Sequence, residues 1–154
     1  MTSRVLVMEF AAHFHQVDMA RAALQGICDE CFGTERERAA DITMAANEAM
    51  NNAVEHAGTA TVRLEVTWDA DQLRIVVIND GPPFDPVAAA AALDEATMLE
   101  RDEGGYGLYL IRELVDRLDY EYRDSRNRWI LCKLINPNRA EGDPAHGVQN
   151  RDGR

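Results

Sequence analysis

Three groups of residues in this sequence have types and spacings that can do chemistry. The first is Glu48, Asn52 and His56, four residues apart on an Ala- and Met-rich stretch. On a helix each four-residue step turns by about 40°, so the three side chains stand in a row along one side. Such a row can serve a hydroxyl group and a metal ion together. Glu48 can orient or deprotonate the hydroxyl. Asn52 offers the neutral oxygen that suits Mg2+, which takes oxygen ligands and keeps several waters. The plain alternative is a solvated polar stripe on an amphipathic helix, and taken alone the row favours it. His56, at the helix end, also suits a C-terminal position when charged.

The second group is the strand end Ile75-Val-Val-Ile-Asn79-Asp80-Gly81-Pro82-Pro83-Phe84-Asp85. Polar residues where a buried strand emerges can read a flat ligand by hydrogen bonds, and Gly81 lets backbone approach closely. A Pro-Gly turn explains the same residues about equally well. The third group, Gly104-Gly105-Tyr106-Gly107-Leu108, opens a helix. Glycines there free backbone amides at a helix N-terminus, which is an anion site that requires no lysine. A flexible hinge is the plain alternative.

The 154 residues fit one domain, and the net charge is −11. There are 15 Arg and one Lys, Lys133. A P-loop needs a Lys directly after its glycines, and the usual protein kinase needs a strand Lys on the ATP phosphates; neither pattern is present. The acidity argues against a nucleic-acid surface and against docking on an anionic membrane. No stretch is long enough to span a bilayer, and the start does not read as a signal peptide. Three cysteines suit a reducing compartment, so a cytoplasmic protein is expected. Cys28 and Cys31 form a CxxC without a second Cys/His pair at zinc spacing, and read as helical thiols.

The elements that must position these groups follow from periodicity. Val5–Phe10 alternates as a strand. Gln16–Cys31 carries a helical stripe ended by Gly33. Thr34-Glu35-Arg36-Glu37 has the form of a capping box for a helix running to Ala57, with Gly58 as its stop. Thr61–Trp68 and Leu73–Asn79 read as strands joined by a turn at Asp69–Gln72. Val87–Glu103 is Ala-rich, then charged, and partly helical at most. A stripe of Leu108, Ile111, Leu114, Val115 and Leu118 predicts a helix. Tyr120–Arg123 and Arg128–Ile135 then form a hairpin around Asp124–Asn127. The order β-α-α-β-β-α-β-β predicts an α+β two-layer sandwich, with a mixed, mostly antiparallel sheet and helices on one face. Residues 136–154 read as a disordered tail after a domain at 1–135. The tail's three Arg and three acidic residues cancel, so the net charge falls on the domain, where it would steer a basic partner surface.

Together and in this order, the three groups resemble the GHKL (Bergerat-fold) ATPase superfamily. Glu48-Ala-Met-Asn-Asn52-Ala-Val-Glu-His56 matches its N box. Asn79-Asp-Gly81-Pro-Pro83-Phe-Asp85 matches the G1 box, and Gly105-Tyr-Gly107-Leu108-Tyr-Leu110 the G2 box. Within the superfamily the chain is most similar to the RsbW/SpoIIAB-type anti-sigma-factor serine/threonine kinases. The resemblance covers residues 5 to 135. It implies the Bergerat fold, with ATP and Mg2+ bound. Glu48 would be the general base for a partner's serine or threonine hydroxyl, and Asn52 the Mg2+ ligand. Gly81 would let adenine pack closely. Gly105, Gly107 and Leu108 would bring amides to the phosphates, and residues 86–103 would form the lid. Asn79 falls where the family has an Asp that accepts from the adenine amino group; a bulge would bring Asp80 into that role instead. The implied partners are a STAS-domain anti-anti-sigma protein and a sigma factor, linked by partner switching, with the kinase a homodimer. Two other readings follow from the same fold: a binding module with weak or no kinase activity, and a stand-alone histidine-kinase ATPase domain.

Overall fold

The computed structural model describes residues 2–93 and 106–138. Among these residues five strands and four helices follow one another as β1 (Arg4–Ala11), α1 (Phe14–Phe32), α2 (Arg36–His56), β2 (Thr61–Trp68), β3 (Gln72–Asp80), α3 (Pro86–Ala91), α4 (Tyr106–Leu114), β4 (Arg117–Arg123) and β5 (Arg126–Leu134). The strands form one sheet in the order β1-β2-β3-β5-β4. Every pairing between neighbours is antiparallel, which agrees with the mostly antiparallel sheet expected from sequence.

One sheet face carries the helices. Val62, Leu64 and Val66 of β2 and Leu73, Ile75 and Val77 of β3 alternate onto it, as the period-two pattern requires. Val17, Ala20 and Leu24 of α1 and Ile42, Ala45, Ala46, Ala49 and Met50 of α2 pack against them in one core. The small alanines let α2 lie close to its neighbours, so its polar row is held at a fixed height above the sheet.

The other sheet face is charged. Arg63 pairs with Glu65 at 3.0 Å and Glu9 at 3.7 Å, and Arg128 pairs with Glu65 at 3.3 Å and Glu121 at 3.6 Å. Beneath these side chains Val76, Ile78 and Ile130 make a small apolar patch. Burial pushes the Glu65 pKa up, but its hydrogen bonds and charge contacts with Arg63 and Arg128 more than offset this and hold it below the ordinary value.

Three local expectations are corrected. The Thr34 capping box does not form: Glu35 is the N-cap residue of α2, and its side chain makes no capping hydrogen bond. The last helix ends at Leu114 rather than reaching Leu118, which belongs to β4. Tertiary pairing ends it: the Asp116 amide donates to the Cys132 carbonyl at 2.9 Å, while its carboxylate accepts from the Leu134 amide. The hairpin turn is also tighter than expected. Only Asp124 and Ser125 lie outside the strands, at φ 54° and 59°. This is the mirror-image turn whose twist suits a two-residue hairpin.

Candidate functional site

A cavity of about 420 Å3 lies between α2, the ends of β3 and β5, the 82–84 loop and the start of α4. Its lining includes Asn52, Ala53 and His56 from α2, and Val77 and Asn79 from β3. Asn127 and Trp129 from β5, Pro82, Pro83 and Phe84 from the loop, and Gly107 and Leu108 from α4 line it as well. Three groups far apart in sequence are thus gathered around one space. Along α2 the row Glu48, Asn52, His56 spans about 12 Å at 1.5 Å per residue.

At one end, α2 meets the first turn of α4. A Cβ built on Gly107 would sit 2.9 Å from Glu48 Oε2, so the missing side chain is what admits the carboxylate. The first amides of α4 lack intrahelical partners and point out of the helix end. The carboxylate and the anion-seeking amides therefore share one corner. Gly105 lies outside the described residues, as do residues 94–103 of the expected lid. The beginning of the expected lid is helical: Asp85 caps α3 by accepting from the amides of Val87 at 2.9 Å and Ala88 at 3.3 Å. Arg112 of α4 closes the other end of α3, donating to the carbonyls of Ala90 at 2.7 Å and Leu93 at 3.2 Å.

At the opposite end, Asn79 and Asp80 part company. The β3 ladder runs through both without a bulge: Asn79 stands opposite Asn127, and Asp80 opposite Arg126. Successive strand residues face opposite ways. Asn79 therefore points with Val77 into the cavity, and its side chain makes no hydrogen bond with another described residue. Asp80 points to the charged face, where Arg126 Nε donates to it at 3.1 Å. The bulge that would bring Asp80 to the cavity does not occur, because the ladder keeps its register.

Gly81 follows with φ 140°. A Cβ there would lie 2.8 Å from the carbonyl oxygen of Ala57, so this glycine is required by the approach of the strand end to the end of α2. That reason differs from the close packing of a ligand expected for it.

Sequence reasoning missed the residues that hold the 81–84 loop. Asn127 is 2% exposed. Its Oδ1 accepts from the Phe84 amide at 2.9 Å and from the Tyr120 hydroxyl at 2.7 Å, and its Nδ2 donates to the Pro82 carbonyl at 2.9 Å. Tyr122 donates to the Gly81 carbonyl at 3.1 Å. Burial pushes the Tyr120 pKa up, with Asp85 and Tyr122 adding to it, so the hydroxyl keeps its proton to donate. Phe84 then stacks on Trp129 with ring centroids 6.0 Å apart, making an aromatic wall. These residues looked like a hairpin turn; only the register reveals their common face.

The single lysine is used elsewhere. Lys133 is buried and donates to the Leu114 carbonyl at 2.7 Å, closing the end of α4 beside Asp41 and Asp116. The cysteines are free thiols. Burial pushes Cys28 up and Cys31 up to about 12, so both stay protonated and unreactive at neutral pH.

This arrangement can be set beside known proteins. Residues 10–133 match the family model described as histidine kinase-like ATPase domain. The chain belongs to this family. It is 32% identical over 154 residues to the serine-protein kinase RsbW of Bacillus licheniformis, covering 93% of this chain and 92% of that one. It is 30% identical over 100 residues to the serine/threonine-protein kinase BtrW of Bordetella bronchiseptica, covering 62% and 70%. Its fold is that of the RsbW domain in the structure of the RsbU and RsbW domains of Rv1364c from Mycobacterium tuberculosis, with a TM-score of 0.60 at 19% identity. That match covers 85% of this chain, which spans about a third of the longer one. The α+β sandwich expected from sequence is thus the fold of this family. Among the described residues no helix is long and apolar enough to cross a membrane.

Proposed function

We propose that the chain is an ATP-dependent protein serine/threonine kinase and anti-sigma factor, whose substrate is a STAS-domain anti-anti-sigma protein. The observation that carries this is the corner where Glu48 meets Gly107, at one end of a cavity whose other end holds the free amide of Asn79. The likeness to RsbW over nearly the whole chain supports it.

In this reading the base of ATP lies at the Asn79 end, against Trp129 and Val77. The triphosphate runs along α2 toward Gly105, Gly107 and Leu108, whose amides receive it. Glu48 takes the proton of the partner's hydroxyl as its oxygen bonds to the γ-phosphorus. The bond from that phosphorus to the β,γ-bridging oxygen breaks, and ADP leaves. Asn52 fits Mg2+: its amide faces the cavity, makes no hydrogen bond with another described residue, and supplies the one neutral oxygen an ion bound mainly by water and phosphate needs. Bound Mg2+ would neutralise charge on the phosphates. Asp80 has no part in this site, since it faces the other side of the sheet. The enzyme works in the cytoplasm as a homodimer, and its domain ends near residue 135.

The test is incubation with γ-labelled ATP, Mg2+ and the STAS protein. Labelled serine or threonine on the partner, abolished by Glu48→Ala, is the expected result. Undiminished transfer by Glu48→Ala would overturn the general-base assignment. One observation favours a second reading, a binding module with little kinase activity: a neutral amide, Asn79, stands where the similar kinases are expected to carry a carboxylate. A stable complex with the partner and no transfer by the unmodified chain would establish it.

A further inference from the structure

We infer that the cavity accepts 6-oxopurine nucleotides as well as adenine nucleotides, and that Asn79 is the residue that makes this so. The inference rests on the reading of the cavity as a nucleotide site. Among the described residues four polar side chains line the cavity: Asn52, His56, Asn79 and Asn127. At the β3–β5 end only two of these lie on the sheet, Asn79 and Asn127, paired side by side. Asn127 is mostly engaged: its oxygen accepts from the Phe84 amide and the Tyr120 hydroxyl, and its nitrogen donates to the Pro82 carbonyl, so it offers a ligand no acceptor paired with a donor. Asn79 keeps both its oxygen and its nitrogen for a ligand. Around it the walls are apolar, with Val77, Trp129 and Phe84 among them.

A carboxamide carries an acceptor and a two-hydrogen donor side by side, and a half-turn of its terminal torsion exchanges them. The edge of adenine offers a donor at the 6-amino group and an acceptor at N1. One orientation of Asn79 pairs with both. Hypoxanthine and guanine offer the reverse, an acceptor at O6 and a donor at N1. The other orientation of Asn79 pairs with both of those. A site discriminates between polar analogues chiefly by leaving buried groups unpaired with the wrong one. Here neither purine edge is left unpaired, so the discrimination collapses. Guanine adds a 2-amino group that needs its own room, so hypoxanthine is the cleaner probe of this residue.

The experiment is calorimetric titration of the full chain with ADP and with IDP, each with Mg2+, because diphosphates cannot be consumed by transfer. The two dissociation constants are expected to agree within tenfold, and Asn79→Leu is expected to weaken both by at least tenfold. IDP binding more than tenfold weaker than ADP in the unmodified chain would overturn the inference while leaving the nucleotide site intact. So would an Asn79→Leu chain, folded by circular dichroism, that binds both as before. Binding of neither diphosphate to the unmodified chain would overturn the nucleotide reading, and this inference with it.

Discussion

Gly107→Ala separates the chemistry of this site from its folding. The added Cβ would stand 2.9 Å from Glu48 Oε2, whereas ordinary contact begins at 3.4 Å. The carboxylate must therefore retreat by about 0.5 Å. It is the free end of a flexible side chain, so the fold absorbs the change, and alanine is the better helix former by up to about 1 kcal/mol. The melting temperature should hold or rise slightly. The proposed base, Glu48, however, leaves its position. A misplacement of about 1 Å costs on the order of a hundredfold in rate, so half that distance should cost roughly tenfold, or about 1.4 kcal/mol of barrier. The assay is single-turnover transfer of labelled phosphate to the proposed STAS partner at saturating ATP, with ADP titration to separate binding from rate. Because the loss passes through Glu48, Gly107→Ala should add little to Glu48→Gln, as contacting residues that act together are not additive. An equal tenfold loss in the Glu48→Gln background would refute the reasoning.

Three further outcomes are expected. Gly81→Ala combines a φ of 140° with a Cβ 2.8 Å from the Ala57 carbonyl oxygen, and should cost roughly 3 kcal/mol, a fall of about 10 °C in Tm for a domain of this size. Gly58→Ala, at φ 64° with nothing within 4 Å, should cost only about 1 kcal/mol; equal losses in thermal unfolding would contradict the close approach. Asn127→Leu removes three hydrogen bonds, two to the 82–84 loop and one from Tyr120, each worth about 1 kcal/mol, and should weaken ADP binding at least tenfold by calorimetry; unchanged affinity would show that the loop does not shape the cavity. Glu65, its carboxyl held below the ordinary 4.5, adds stability that is present above that value and lost as pH falls through its depressed value. Urea unfolding should therefore show the unmodified chain's advantage over Glu65→Gln shrinking below about pH 4.5, and an advantage that grows with acid would contradict it.

The strands and the two long helices were legible because their apolar residues repeat at two and at three-to-four, and Gly33 and Gly58 mark helix ends. The start of α3 went unread, although Asp85-Pro86 holds the signal for it, a capping side chain followed by a ring preset for the first turn. The three groups of site residues were legible as types in order, and the cavity gathers Asn52, Asn79, Gly107 and Leu108 with Glu48 at its corner. Facing was harder to read. Asn79 and Asp80 are neighbours in sequence, and only an unbroken β3–β5 ladder sends them to opposite faces. The Asn127 latch depends on a two-residue turn without glycine, and the early end of α4 depends on Asp116 bonding across to β5. Both are set by partners distant in sequence, which local periodicity does not contain.

The most direct test of the central claim is a crystal structure of the chain with ADP and Mg2+. The purine ring is expected between Trp129 and α2 with its 6-position edge on Asn79, and the diphosphate directed along α2 toward Asn52 and the amides at Gly107. A diphosphate bound elsewhere, or a base whose polar edge meets Asp80 on the charged face of the sheet, would contradict it.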